Sequence, residues 1–310
     1  MSISTAAHKL EGEMTPHLET TPVHIKGILA ATDFSDQATL AVKYAARMAN
    51  QLRCSLHVLY TITPQLYIAD TAVLTSELQK IEIERGQQEL HEYLSRIGEV
   101  RTTRHEEIAL CGPTADTIAE LVELKGIDLV VMGSHGRRGL EKMALGSVAE
   151  AAIRGLHCPV LVVGPRCIRR FGPVTSMTLA ANLPFGSLRA AQYATALARK
   201  AHAGLTVLHV LPERVEHLGI SSIAVEENAL KELRQLTPHD PELHKHIHFE
   251  IAIGKPADEI VRVAKHSKAG MIVMGAKEHR MLADHAPWST LSEVIRKSHC
   301  PVLVVQPHAA

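Results

Sequence analysis

One long segment occurs twice in this chain, and this duplication constrains the fold more than any other feature. The heptapeptide HCPVLVV begins at His157 and again at His299, a shift of 299 − 157 = 142 residues. VVMG and IVMG end at Gly133 and Gly275, and 275 − 133 is again 142. A repeat of this length is far longer than a solenoid unit, so it indicates two duplicated domains.

A second repeated motif shows where the copies differ in length. LHVL at residues 56–59 recurs at residues 208–211, a shift of 208 − 56 = 152. We therefore expect one connection in the second copy to be 152 − 142 = 10 residues shorter. We place the domains at residues 23–165 and 174–307, with the segment GPRCIRRFGPV between them as the linker.

Each copy alternates apolar strands with helical patterns. In the first copy KGILAATD predicts a strand that ends at Asp33, and Ser35 is a suitable cap for the following helix. The predicted strands are apolar without alternation, which is typical of a parallel sheet that is covered on both faces. The sequence therefore predicts two copies of an α/β fold, each with a five-stranded, mostly parallel sheet.

Composition and charge narrow the function classes. The 310 residues include 33 Lys+Arg and 33 Asp+Glu, so the balanced charge predicts no nucleic-acid or membrane partner. No apolar run is long enough to predict a transmembrane helix. Residues 1–22 lack the apolar core of a signal peptide and are predicted to be a flexible tail. Five cysteines without a C-x-x-C motif predict reduced thiols and a cytoplasmic protein.

Three glycines in the first copy mark a candidate anion site. Gly133 follows the fourth strand, Gly136 comes three residues later, and Gly146 precedes Ser147 at the start of a helical pattern. Ligands of open parallel sheets bind at the carboxyl ends of the strands, and a helix N-terminus attracts anions. The pattern matches neither a Walker A loop nor the Rossmann fingerprint. It predicts a phosphate cradle, closed by the loop that contains Arg137 and Arg138.

The alternative is that these glycines are only turn and cap residues, and the second copy serves as a control. Under the shift of 142, Gly136 corresponds to Glu278 and Gly146 to Trp288. Alignment of the first strands puts Asn182 at the place of Asp33. Because the second copy keeps the fold pattern without these glycines, we expect the glycines to serve a ligand in the first copy.

The combination of G-x2-G-x9-G-[ST], ATDFSD and a final PVLVV strand resembles the universal stress protein family across both copies. The resemblance implies a Rossmann-like sheet of strand order 3-2-1-4-5 in each copy. It also implies that ATP, with Mg²⁺, binds to the first copy, whereas the departures at Asn182, Glu278 and Trp288 predict a degenerate site in the second copy. The implied ATP-binding residues are Ala31, Thr32, Asp33, Val58, Met132, Gly133, His135, Gly136, Gly146, Ser147 and Val148.

The resemblance also implies how the copies assemble. Domains of this family pair through their fifth strands, which here begin at Pro159 and Pro301. We therefore expect an internal pseudo-dimer with approximate two-fold symmetry. A homodimer of whole chains is left open.

Three functions remain open at this stage. The first is an ATP-binding regulator of a stress response or a signalling pathway. The second is a slow ATPase, although neither a general base nor paired carboxylates accompany the glycines. The third is an interaction module that needs no nucleotide.

Several other residues invite a functional interpretation. We expect His57 and His209, which share the LHVL motif, to be structural. The LHKHIH segment places His244, His246 and His248 on one face of a strand, so metal binding and a solvated edge strand both remain open. Cys158 and Cys300 precede the fifth strands and are predicted to be packing residues.

Overall fold

A computed structural model of the protein describes residues 23–63, 72–136, 145–167, 173–183, 187–213, 222–237, 245–276 and 288–307. The predicted tail 1–22, Arg137, Arg138, His244 and Glu278 lie outside these ranges.

The first half contains five strands and five helices within the described residues. In chain order they are β1 (Gly27–Thr32), α1 (Asp36–Leu52), β2 (Ser55–Ile62), α2 (Ala72–Ser95), α3 (Gly98–Arg101), β3 (His105–Cys111), α4 (Thr114–Lys125), β4 (Leu129–Gly133), α5 (Ser147–Gly155) and β5 (Val160–Val163).

The second half repeats the alternation. Its described elements are β6 (Ser176–Ala180), α6 (Leu188–Ala201), β7 (Gly204–Leu211), α7 (Ser222–Gln235), β8 (Ile247–Ile253), α8 (Pro256–His266), β9 (Met271–Gly275), α9 (Trp288–Lys297) and β10 (Val302–Val305).

The ten strands form one sheet of order β3-β2-β1-β4-β5-β10-β9-β6-β7-β8. Neighbouring strands within each half are parallel, so each half has the expected order 3-2-1-4-5. The halves meet where β5 and β10 pair antiparallel, with Leu161 opposite Leu303. The predicted pairing of the two domains through their fifth strands is confirmed.

The strand register corrects one alignment. Ile28 pairs with Leu56 in the first half, and Met177 pairs with Leu205 in the second. The shift at β1 and β2 is therefore 177 − 28 = 149, whereas β3 and β8 keep the shift of 142. The two LHVL motifs are three positions out of register, and the shortened connection differs by 149 − 142 = 7 residues.

This correction also separates the two histidines of the motif. His57 pairs with Leu29, and its side chain shares a 2.7 Å hydrogen bond with Glu106. His209 lies nearer the carboxyl end of its strand and shares a 3.0 Å hydrogen bond with the Ala181 carbonyl. Both histidines have partners, but they do not occupy equivalent positions.

Helices cover both faces of the sheet, and the core is continuous across the two halves. One cluster of buried side chains joins α1 and α2 to α6 and α7, for example through Leu90 and Leu233. The other joins α4 and α5 to α8 and α9, through residues such as Ile153 and Ile295. None of the helices within the described ranges has the length and hydropathy that a membrane crossing requires.

The cysteines that precede the fifth strands are buried in this core. Cys158 is 8% exposed and Cys300 is 3% exposed. Burial raises the pKa of the Cys158 thiol to about 12 and that of Cys300 to about 11. Both thiols are therefore protonated near neutral pH, in agreement with a packing role.

The junction of the halves differs on its two pseudo-symmetric sides. After β5, the backbone of Gly164 packs against α9, and a Cβ built there would lie 2.0 Å from the Ile295 carbonyl oxygen. Under the shift of 142, the equivalent residue after β10 is Gln306, whose amide donates a 3.2 Å hydrogen bond to the Ile153 carbonyl. On the Gln306 side, Arg189 of α6 also donates to the carbonyls of Gln306 and His157.

We predict that Gly164→Ala destabilises the protein by roughly 1–3 kcal/mol, because its methyl group would push the linker away from α9. Gly155→Ala is the matched control, since a Cβ at Gly155 meets nothing within 4 Å. Urea denaturation followed by circular dichroism measures both variants. Equal stability of the two variants would show that the packing of Gly164 is not required.

Candidate functional site

The turn after β1 holds Asp33 at the carboxyl edge of the sheet. Phe34 adopts a left-handed conformation with φ of 66°, and its N–H donates to Thr32 Oγ1 at 3.1 Å. The Ser35 N–H donates to Asp33 Oδ1 at 3.1 Å, which fixes the carboxylate. Ser35 Oγ in turn accepts from the Ala38 N–H, so Ser35 caps α1 as expected.

Aromatic packing stabilises this turn. A left-handed bulky residue is strained, so its surroundings must hold it in place. The Phe34 ring lies 4.3 Å from the Tyr60 ring and 4.8 Å from the Tyr93 ring, measured between centroids. The Tyr93 hydroxyl donates to Thr39 Oγ1 at 2.8 Å, and burial raises the pKa of Tyr93. The turn that carries Asp33 is thus anchored to β2, α1 and α2.

The turn after β4 brings Gly136 next to Asp33 and Gly133 next to the first turn of α1. Ser134 is fully buried, and its N–H donates to the Val163 carbonyl of β5 at 2.9 Å. Ser134 Oγ is 3.3 Å from Gln37 Oε1 and 3.0 Å from His135 Nδ1. These hydrogen bonds attach the loop to α1 and orient the imidazole of His135.

Glycine is needed at these three positions because neighbouring atoms lie too close for a side chain, not because the backbone angles are unusual. A Cβ at Gly136 would lie 2.6 Å from Asp33 Oδ2, and a Cβ at Gly133 would lie 3.3 Å from the Ala38 nitrogen. A Cβ at Gly146 would lie 3.0 Å from the Ser134 carbonyl oxygen. None of the three has a positive φ.

The start of α5 lies against the same turn. The Gly146 N–H donates a 2.7 Å hydrogen bond to the Ser134 carbonyl. Gly146 is the N-cap residue and provides no side-chain cap, while Ser147 is exposed in the first turn of the helix. The positive end of the α5 dipole is therefore held beside Ser134 and His135, where it favours an anion.

The structure brings most of the predicted site residues together and separates one. Ala31 and Thr32 end β1, Met132 and Gly133 end β4, and Val148 follows Ser147 in α5. Val58 of β2 pairs with Ala30, which lies three positions before Asp33 in the chain. The Val58 side chain is fully buried. An adenine at the carboxyl edge could meet Val58 only through its backbone.

The second half builds this region differently. Met177 pairs with Met271 as Ile28 pairs with Leu129, so the register places Asn182 at the position of Asp33, as aligned from the sequence. The Asn182 N–H donates to Ser187 Oγ at 2.7 Å. Leu183 replaces Phe34, and α9 begins at Trp288, where α5 has its Gly146 N-cap.

Two functional candidates escaped the sequence analysis. Gln37 and Ser134 contact each other although they are 97 residues apart, so periodicity could not pair them. The position of Ser134 between two glycines of the motif was the one available signal.

The histidine segment does not form a metal site in the part of the chain that the structure describes. His248 Nε2 lies 4.0 Å from Glu250 Oε2, and His246 precedes β8 at its exposed edge. A search of the described residues found no group of three or more His, Cys, Asp or Glu side chains suited to a metal ion.

Comparison with known proteins adds an independent result. The profile of the universal stress protein family matches residues 24–164 and 180–306. A universal stress protein of Methanocaldococcus jannaschii is 38% identical over 142 residues, which cover 44% of this chain and 81% of that protein.

Some relatives match both halves. A universal stress protein of Synechocystis is 24% identical over 306 residues, covering 90% of this chain and 99% of that protein. The crystal structure of a universal stress protein from Archaeoglobus fulgidus has a TM-score of 0.62 at 21% identity, covering 90% of this chain and 98% of that one. The chain therefore belongs to the universal stress protein family and carries two tandem domains of that family.

Proposed function

We propose that this protein is a regulator that binds one ATP in its first half. The observation that carries the proposal is the meeting of a carboxylate and a helix N-terminus at a single turn. Asp33 Oδ2 touches the position of Gly136, and Gly146 at the start of α5 is hydrogen-bonded to Ser134 of the same turn. A carboxylate suits the hydroxyls of a ribose, and a helix N-terminus suits phosphates.

The site residues take separate roles in this proposal. Ala31, Thr32 and Asp33 hold the nucleoside, and Met132 and Gly133 contact the ribose and the first phosphate. His135, Gly136, Ser147 and Val148 hold the phosphates, chiefly through backbone N–H groups, and Gly146, whose N–H already donates to the Ser134 carbonyl, leaves room for the phosphates at the start of α5. Mg²⁺ enters with the triphosphate, and we assign no protein side chain to it.

The second half serves as a nucleotide-free partner domain in this proposal. The sequence aligns Glu278 with Gly136, which adds a negative charge unfavourable to phosphates, and Asn182 removes the charge that Asp33 supplies. We therefore predict a stoichiometry of one ATP per chain in isothermal titration calorimetry. Two equivalent sites would refute the assignment of the second half, and no binding would refute the proposed function.

Gly136→Glu transfers the natural residue of the second half into the first. Its Cβ would collide with Asp33 Oδ2, and its carboxylate would repel the phosphates. Like-charge contacts cost several kcal/mol, so we predict at least a ~100-fold loss of ATP affinity with the fold intact. Gly155→Glu adds the same charge at an open, exposed position and is the control. Unchanged affinity in Gly136→Glu contradicts the cradle.

Asp33→Asn separates charge from shape, because the amide fits the same space and is the natural residue of the second half. It removes a charge-assisted hydrogen bond to the nucleoside, so we predict roughly 10-fold weaker ATP binding. The Asn side chain can still accept from the Ser35 N–H, so thermal stability without ATP should stay unchanged. If Asp33 instead faced the phosphates, removal of its negative charge would raise the affinity for ATP and for inorganic triphosphate alike.

Turnover separates the regulator from the slow ATPase. The rate of phosphate release from ATP in the presence of Mg²⁺, measured on the same preparation as ATP binding, distinguishes the two functions. A turnover that Gly136→Glu abolishes would favour the ATPase.

A further inference from the structure

A chain of hydroxyl groups connects helix α2 to the turn after β1. The Phe34 N–H donates to Thr32 Oγ1 at 3.1 Å, and Thr32 Oγ1 donates to the Tyr93 hydroxyl at 3.5 Å. The Tyr93 hydroxyl donates to Thr39 Oγ1 at 2.8 Å, and Thr39 Oγ1 donates to the Ser35 carbonyl at 2.8 Å. Each hydroxyl donates one hydrogen bond and accepts one, so the chain is complete. It begins and ends in the turn and passes through α2 at Tyr93.

Asp33 lies between the two ends of this chain. Thr32 precedes it in sequence, and the Ser35 N–H donates to Asp33 Oδ1 at 3.1 Å. Burial raises the pKa of Tyr93, and the nearby charge of Asp33 raises it further. The phenol therefore keeps its proton near neutral pH and remains a donor. Loss of the Tyr93 hydroxyl would loosen the residues on both sides of the carboxylate.

Helix α2 is fixed to the sheet next to Tyr93. Gln87 Nε2 donates to the Glu107 carbonyl at 3.3 Å, and Gln87 Oε1 accepts from the Ala109 N–H at 3.1 Å. These two bonds attach α2 to the outer edge of β3. Leu90, between Gln87 and Tyr93, is fully buried. Tyr93 therefore acts from a rigid element, which a positioning group requires.

The second half lacks the hydroxyl chain as well as the carboxylate. The shift of 149 found for the first strands also holds at the ends of α1 and α6, whose left-handed C-cap residues are 202 − 53 = 149 positions apart. Ala181 therefore stands at the place of Thr32, and Leu188 at the place of Thr39. Neither residue has a hydroxyl, so this chain cannot form there. The fold does not require the chain, which accompanies the carboxylate in the first half.

We propose that the Tyr93 hydroxyl is a positioning group that holds the Asp33 carboxylate at the ribose hydroxyls of the nucleotide. It acts from both sides of the carboxylate, through Thr32 and Thr39, and does not touch the nucleotide itself. A carboxylate that is fixed in advance loses less conformational freedom on binding. The inference rests on the ATP site proposed above and assigns a role to a residue of α2.

The test compares two ligands on the full chain by isothermal titration calorimetry. 2′,3′-Dideoxy-ATP keeps the base and the triphosphate of ATP but lacks both ribose hydroxyls. Tyr93→Phe removes the hydroxyl and keeps the ring against Phe34. We expect wild type to bind ATP roughly 10-fold more tightly than dideoxy-ATP, and Tyr93→Phe to reduce this preference to about 3-fold or less by weakening ATP alone. A merely structural role of Tyr93 would weaken both ligands equally.

Two further variants complete the test. Tyr193→Phe removes the hydroxyl of a half-buried tyrosine in the second half and is the matched control, so it should keep the preference of wild type. Thr39→Val removes the acceptor of the 2.8 Å hydrogen bond from Tyr93 and keeps the test valid if Tyr93→Phe fails to fold. It should reduce the preference for ATP as Tyr93→Phe does.

Four results would overturn the proposal. The first is an unchanged preference in Tyr93→Phe, and the second is equal weakening of both ligands by that variant. The third is a reduced preference in the control Tyr193→Phe. The fourth is a wild type that binds ATP and dideoxy-ATP equally well, which would leave ATP binding established without a role for the ribose hydroxyls. A wild type that binds neither ligand would instead refute the proposed function, and this inference with it.

Discussion

The antiparallel pairing of β5 with β10 is the contact on which the rest of the structure depends. Each of these strands is VLVV and fully buried, and in a separate half it would be an apolar edge. Their pairing converts two five-stranded sheets into one and lets both hydrophobic clusters run through the two halves. The same pairing makes the strands of the two halves run in opposite directions, so Asp33 and Asn182 lie at opposite ends of the sheet along the strand direction. The halves therefore share a core but not a binding site.

Duplication within a shared core allows the two sites to diverge without loss of the fold. In the first half the space beside Asp33 is so small that Gly136 cannot gain a Cβ without moving the carboxylate. The aromatic rings of Tyr60 and Tyr93 hold the strained Phe34 turn that positions this carboxylate. In the second half the corresponding positions carry Asn182, Leu183 and His209, and the left-handed aromatic residue is gone. The Asp33 carboxylate, Gly136 and the strained turn at Phe34 thus occur together in the first half, and all three are replaced in the second half.

The sequence predicts the parts of this structure that rest on burial and misses those that rest on individual hydrogen bonds. Uniformly apolar strands must be covered on both faces, so the α/β class and the parallel sheets were predictable from the residues, whereas the strand order and the pairing of the halves were implied by the resemblance to the universal stress protein family. The LHVL alignment failed because four identical letters do not fix a register, whereas the pairing of Met177 with Leu205 does. Gln37, Ser134 and Gln87 could not be found, because each acts through a side-chain contact that leaves no periodic trace.

Helix α2 connects the two specialised regions of the first half. Near its end, Tyr93 packs against Phe34 in the turn that carries Asp33. Less than two helical turns earlier, Gln87 bonds to the outer edge of β3. Leu90 lies between Gln87 and Tyr93, and Leu94 follows Tyr93. Both leucines are buried in the core, so this part of α2 is a rigid element. A ligand that shifts the Phe34 turn would therefore shift the amide that closes β3.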